Sequence, residues 1–202
     1  MEISPNKCLA LLTVLALVSC QNLSKPDGSV GAAADRTSTD TKNPVATLET
    51  YSCGDIARVH YSDGVLLASQ PSVEGLVAAQ IDGVQTIINL RYDEETTMLQ
   101  AEQNVVEALG MKYIHVPWEG GEELTDEVFD TMIHLLKTER RPILLHCDKY
   151  ANRVGAVWLP YRVLEDKLSV DEAAVEAIKI GLHNDDYEAL AREYAEAHST
   201  SR

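Results

Sequence analysis

From about Tyr51 onward, short apolar runs alternate with longer stretches whose apolar residues recur at helical spacing. Ile56–Tyr61 and Val65–Ser69 read as short strands, with Ser62-Asp63-Gly64 as the turn between them. Ser72 to Ile81 has a helical pattern that stops at Asp82-Gly83. Val84–Leu90 is almost continuously apolar, as expected of a strand covered on both faces. Glu94 to Leu109 carries Met98, Ala101, Val105 and Leu109 at helical spacing and ends at Gly110. Lys112–Val116 predicts a strand, Thr125 to Arg140 a helix, and Pro142–His146 the central strand. Asn152 to Leu164 is apolar nearly all round, which predicts a buried central helix that Pro160 kinks or ends. Ser169-Val170-Asp171-Glu172 is a capping box opening a helix that Gly181 closes. A last helix places Tyr187, Leu190, Ala191 and Tyr194 on one face.

This alternation predicts a single α/β domain built on a mainly parallel, doubly wound sheet flanked by helices. Such sheets bind ligands at the C-terminal ends of their strands. Arg91, Trp118 and Cys147 each fall just past the end of an expected strand, so the three converge on one candidate site. Before residue 51 the pattern disappears. Gln21 to about Thr50 is rich in Ser, Thr, Asp, Gly, Pro and Ala without apolar periodicity, which predicts a flexible tether.

Ahead of the tether, Cys8 to Val18 form an apolar run preceded by Lys7 and followed by Ser19-Cys20. The run is shorter than the roughly 20 residues of a transmembrane helix and fits the apolar region of a secretory leader. Leu17-Val18-Ser19-Cys20 resembles the bacterial lipobox, in which the cysteine is lipidated and becomes the first mature residue. An ordinary signal peptide and a short buried helix are the other readings. The expected organisation is a signal peptide over 1–19, a lipidated Cys20 and tether over 20–50, and a folded domain over 51–202. The lipid implies a membrane partner and a place in the bacterial cell envelope. Gln21, rather than Asp, after the cysteine points to the periplasmic face of the outer membrane in a Gram-negative cell.

A net charge of −15 argues against a nucleic-acid partner, because a phosphate backbone demands a basic surface. Any anion site on this chain must be a local positive spot on a repelling body. The six histidines, His60, His115, His134, His146, His183 and His198, are scattered. None pairs with Cys or another His at ligand spacing, so neither a metal nor another cofactor is expected.

The segment that changes the picture most is His146-Cys147-Asp148-Lys149-Tyr150-Ala151-Asn152-Arg153. It ends an apolar strand and opens a helix, and five residues separate the cysteine from the arginine. A thiol, a guanidinium and the backbone N–H groups of Asp148 to Arg153 then surround one concavity suited to a tetrahedral oxyanion. The helix N-terminus and Arg153 both favour a thiolate at Cys147. Arg153 offers a planar fork that grips two oxygens, which Lys149 cannot do. The alternative is a buried core cysteine with Arg153 in a surface salt bridge. Cys53 and Cys147 are the thiols left once the leader and Cys20 are set aside. Either they form a reversible disulfide in an oxidising compartment or Cys53 stays free.

From about Ile56 to Leu182 the chain resembles the cysteine-dependent, dual-specificity-like phosphatase superfamily. It is similar there to the bacterial subgroup that includes the phosphatase-like domain of beta-lactamase-hydrolase-like proteins. The residues that carry this are Ala68-Ser69-Gln70-Pro71-Ser72, Ile88-Asn89-Leu90-Arg91, Tyr113-Ile114-His115-Val116-Pro117, and His146-Cys147 through Asn152-Arg153-Val154-Gly155. The resemblance implies a phosphatase-like domain, Cys147 as nucleophile through a phosphocysteine, Arg153 as phosphate ligand, and His146 tuning the thiolate. His146 also reads as a core residue bonded to backbone. Arg91 either lines the pocket or is surface charge.

Three positions depart from the superfamily pattern. Tyr150 stands where glycine is usual, and left-handed geometry there would cost roughly 1–2 kcal/mol. Val154 replaces the hydroxyl that follows the arginine. The loop Pro117-Trp118-Glu119-Gly120-Gly121-Glu122-Glu123 has no Asp to act as general acid. Glu119 is the nearest carboxylate, with Gly120-Gly121 as a hinge; Glu122, Glu123 and Asp148 are fallbacks, and a merely solvated acidic loop is the bland reading. The expected substrate is a phosphorylated protein or a small phosphoester. A phospholigand-binding module without turnover and a rhodanese-like sulfurtransferase are the competing functions.

Overall fold

Side chains alternate across a strand, so consecutive residues reach opposite layers of the domain. In the last strand, Ile143 and Leu145 join one core cluster, together with Cys147 just beyond it, whereas Leu144 joins the other. His146 shares the face of Leu144. This alternation positions the whole site.

The computed structural model describes residues 45–92, 99–148 and 150–199, all within the unit Asn43–Arg202. The expected leader, Cys20, most of the tether, Asp93, Glu94 to Met98 of the helix expected from Glu94, and Lys149 lie outside the described residues. The strands are β1 (Glu49–Tyr51), β2 (Val59–Ser62), β3 (Val65–Ala68), β4 (Thr86–Asn89), β5 (Lys112–His115) and β6 (Ile143–His146). They form one sheet in the order β1-β2-β3-β6-β4-β5. The β1–β2 and β2–β3 pairs are antiparallel, and β3, β6, β4 and β5 run parallel. The sheet is therefore mixed and mostly parallel, flanked by helices.

Helices α1 (Val73–Ile81) and α2 (Leu99–Ala108) cover one face. Helices α4 (Asp126–Thr138), α5 (Asn152–Leu164), α6 (Val170–Ile180) and α7 (Asp185–Ser199) cover the other. Ser72 caps α1 by accepting from Gly75 N–H, and the Ser169–Glu172 capping box opens α6. Helix α5 is buried along nearly its whole length, as its apolar circumference predicts. Pro160 does not end it; the helix runs on to Leu164.

Several expectations needed correction. The strand expected from Ile56 begins only at Val59, because Arg58 takes a left-handed φ of 52° that no strand tolerates. Glu49 and Thr50, assigned to the tether, pair with Tyr61 and His60. The Ala46 carbonyl accepts from buried Arg162, which also binds Glu176 and Asp166. The end of the expected tether thus belongs to the fold. Gly120 and Gly121 open a helical turn, α3 (Gly120–Glu123).

Candidate active site

Strand β6 lies between β3 and β4, and its register sets His146 opposite both Ala68 and Asn89. The chain segments leaving these three strands therefore meet. Gln70 N–H donates to the Asp148 carbonyl at 3.1 Å, and Leu90 N–H to the His146 carbonyl at 3.0 Å. Cys147 sits at this junction, 0% exposed. The backbone N–H groups of Arg153 and Val154 are directed at its sulfur.

Arg153, the second residue of α5, is 7% exposed. Its Nη1 donates to the Leu90 carbonyl at 3.2 Å and the Trp118 carbonyl at 3.3 Å. Its guanidinium carbon lies 5.5 Å from the centre of the Tyr92 ring. The backbone at the ends of β4 and β5 thus fixes the guanidinium beside the thiol. Cys147 and Arg153, matched only by spacing in the sequence, share one buried site.

The expected thiolate is not favoured. Burial pushes the Cys147 thiol above its ordinary value, and the Asp148 carboxylate adds to this. The Val154 and Arg153 N–H groups and the Arg153 charge oppose the shift without cancelling it. Asp148 Oδ1 lies 3.9 Å from the sulfur and accepts from Tyr150 N–H at 3.1 Å. Ala151 N–H turns to the Asp148 carbonyl at 3.4 Å. The expected cradle is therefore divided: the Tyr150 and Ala151 amides serve Asp148, and the Arg153 and Val154 amides serve the thiol. The left-handed residue is buried Ala151, with φ 57°, and not Tyr150. Asn152 uses its side-chain oxygen to accept from His183 N–H at 2.9 Å.

His146 is fully buried, with Nδ1 3.3 Å from the Cys147 carbonyl and Nε2 3.0 Å from Glu102 Oε1 on α2. Glu102 also accepts from Gln70 Nε2 and from Asn89 Nδ2. Burial alone would raise its carboxyl, but His146, Gln70 and Arg91 outweigh burial and hold it below the usual glutamate value. Arg91 is half-buried and donates from Nη1 to Gln70 Oε1 at 2.8 Å, so it belongs to this network rather than to open surface. Glu102 escaped the sequence reading because it is one of many glutamates on an amphipathic helix. The one signal was Asn89, a polar residue inside an apolar strand.

Glu119 is exposed and stands at the N-terminus of α3, next to the Trp118 carbonyl that Arg153 holds. Glu123 accepts from Glu119 N–H at 2.7 Å and so caps the turn; Glu122 is exposed. Cys53 and Cys147 are both free and belong to clusters on opposite faces of the sheet, which rules out the disulfide in this fold. Burial, followed by Asp82, pushes the Cys53 thiol up to about 11.

This arrangement is that of the cysteine-dependent phosphatase superfamily. A family model described as "DSP-PTPase phosphatase fused to NAD+ Kinase" matches residues 41–197, and the chain belongs to that family. No curated protein matches the chain significantly. Among solved structures, it is similar to a putative phosphatase (DUF442) from Shewanella putrefaciens, with 17% identity and a TM-score of 0.59 over 71% of this chain and 95% of that one. It is similar also to TpbA of P. aeruginosa, with 17% identity and a TM-score of 0.61 over 80% of this chain and 98% of that one. A cysteine-to-serine variant of TpbA in complex with pTyr aligns with 16% identity and a TM-score of 0.57, over 80% of this chain and 100% of that one. These likenesses establish the fold.

Proposed function

We propose that this protein is a phosphomonoesterase acting through a phosphocysteine intermediate. The observation that carries the reading is the buried Cys147, with two backbone N–H groups directed at its sulfur and the anchored Arg153 guanidinium beside it. Arg153 grips oxygens of the phosphoryl group while the thiolate form of Cys147, reached by loss of its proton to solvent, attacks phosphorus. The S–P bond forms as the ester P–O bond breaks, and Glu119 donates its proton to the departing oxygen. Water then attacks phosphorus, giving up a proton to the Glu119 carboxylate, and phosphate leaves with the thiolate restored. The pTyr complex of the TpbA variant supports a phosphoester as the ligand class.

The N-terminal residues support a tethered form of this enzyme. A lipid on Cys20 would hold the domain at the cell envelope, on the periplasmic face of the outer membrane of a Gram-negative cell. Metabolic labelling with a palmitate analogue tests this: wild type takes the label and Cys20→Ala does not. Labelling that survives Cys20→Ala refutes it.

A second reading, a phospholigand-binding module without turnover, is favoured by the raised Cys147 thiol and by Val154 in place of a hydroxyl. Turnover of an aryl phosphate by wild type, Cys147→Ser and Glu119→Gln separates the two. The phosphatase reading expects hydrolysis by wild type, none by Cys147→Ser, and a reduced rate for Glu119→Gln that recovers with better leaving groups. No hydrolysis by wild type, together with phospholigand binding lost in Arg153→Ala, would establish the binding module instead.

A further inference from the structure

Beside the phosphate loop, outside the thiol site, lies a cavity of about 350 Å³ lined by Arg58, Tyr150, Ile178, Gly181, Leu182 and His183. Tyr150 forms the shared wall. The residue is 45% exposed, and its ring lies edge-on to the His183 imidazole, with ring centres 5.8 Å apart. The opposite wall is fixed to the loop at two points. His183 N–H donates to Asn152 Oδ1 at 2.9 Å. Gly181 approaches the Tyr150 carbonyl so closely that any side chain there would collide with it. The glycine usual at the Tyr150 position would leave this wall missing, so the departure from the family pattern builds the cavity.

The charge of this corner runs against the rest of the molecule. The chain carries 32 acidic and 17 basic residues, yet Arg58 has no ion-pair or hydrogen-bond partner among the described residues. It is held there in a left-handed conformation, φ 52°, which costs a non-glycine residue about 1–2 kcal/mol. Such strain is retained where a side chain must point in one direction. His60, two residues along the chain from Arg58, is buried, and its Nδ1 has no partner among the described residues. After burial, the charges of Lys179 and Arg58 hold His60 away from its cationic form. A guanidinium left without a counter-ion beside an oxyanion loop is suited to a second anion.

We propose that this cavity is a second anion subsite, in which Arg58 binds another phosphate or carboxylate of the same substrate while its scissile phosphate occupies the Cys147 loop. The proposal rests on the phosphatase reading for the identity of the first site. It makes the preferred substrate a phosphoester with two anionic groups rather than a simple monophosphate. Tyr150 and His183 line the path between them and pack against the connecting atoms.

The test is titration calorimetry on full-length Cys147→Ser protein with a graded series of α,ω-alkanediol bisphosphates, the matching ω-carboxyalkyl phosphates, and the alkyl monophosphates. One chain length is expected to bind about tenfold tighter than its monophosphate. Comparison of the bisphosphate and carboxylate arms identifies which second anion is preferred. Arg58→Gly, which accommodates the positive φ, is expected to bring the ratio close to one, and Arg58→Lys to keep part of it. Equal affinities at every length, or an advantage that survives Arg58→Gly, would overturn the proposal. Hydrolysis by wild type is read separately. A bisphosphate preference lost in Arg58→Gly without any hydrolysis would support the subsite and refute the phosphatase reading.

Discussion

The Glu102 carboxylate lies 3.0 Å from the His146 imidazole, on the face of β6 opposite the one reached by Cys147. A helix that contributes nothing to the phosphate loop thereby supports the residue preceding the nucleophile. Replacing Glu102 with Ala strands the fully buried Nε2 of His146 and removes one partner each from Gln70 and Asn89, which keep the Pro71 carbonyl and the Tyr113 hydroxyl. A buried group left without a partner costs about 1–3 kcal/mol, so Glu102→Ala is expected to lose about 1–3 kcal/mol in urea unfolding, and an unchanged midpoint would contradict this network.

The same pair gives a pH signature. A carboxyl whose folded pKa is depressed stabilises the fold above its unfolded value, near about 4.3 for glutamate, and that contribution disappears as pH falls through the folded value. The difference in stability between wild type and Glu102→Gln is therefore expected to be widest near neutral pH and to close in acid. Urea midpoints across the pH range check it; a constant gap would contradict it.

Cys147 should show the opposite limb. With its thiol raised by burial and Asp148, the thiolate fraction grows about tenfold per pH unit until the pKa is reached. The rate constant kcat/KM on an aryl phosphate is expected to climb between about pH 7 and pH 8.5 without a plateau. Asp148→Asn should move the profile to lower pH, because it removes the negative charge that opposes the thiolate. A plateau already formed near pH 6 would contradict a raised thiol.

Gly155 sets the distance between α5 and α6. A Cβ there would stand 2.7 Å from the Ala177 carbonyl oxygen and 2.8 Å from Leu182 Cβ. Gly155→Ala is expected to destabilise the domain by about 1–3 kcal/mol, read as a lowered Tm in thermal unfolding, and an unchanged Tm would show that the helices can separate freely.

The strands and helices from β2 onward were legible because burial writes its period directly into the sequence. Cys147 and Arg153 were legible because the strand, the five-residue gap and the helix fix their meeting without any distant partner. What the sequence hid depends on contacts between distant segments. Glu102 acquires its role only because α2 crosses behind His146. The Asp148 side chain turns inward to cap its own loop, a choice that side-chain chemistry permits but does not announce. The left-handed turn sits at Ala151 because the helix begins directly after it, one residue later than the glycine pattern suggested. Glu49 and Thr50 looked like tether because an exposed three-residue edge strand carries no apolar period.

The central claim is that phosphate passes through Cys147. The most direct measurement is rapid acid quenching of the full-length protein during turnover of an aryl phosphate, followed by mass spectrometry of the peptide containing Cys147. A phosphoryl group on Cys147 in wild type and none in Cys147→Ser is the predicted result. Continued hydrolysis with no phosphoryl group on Cys147, or hydrolysis by Cys147→Ser, would contradict it.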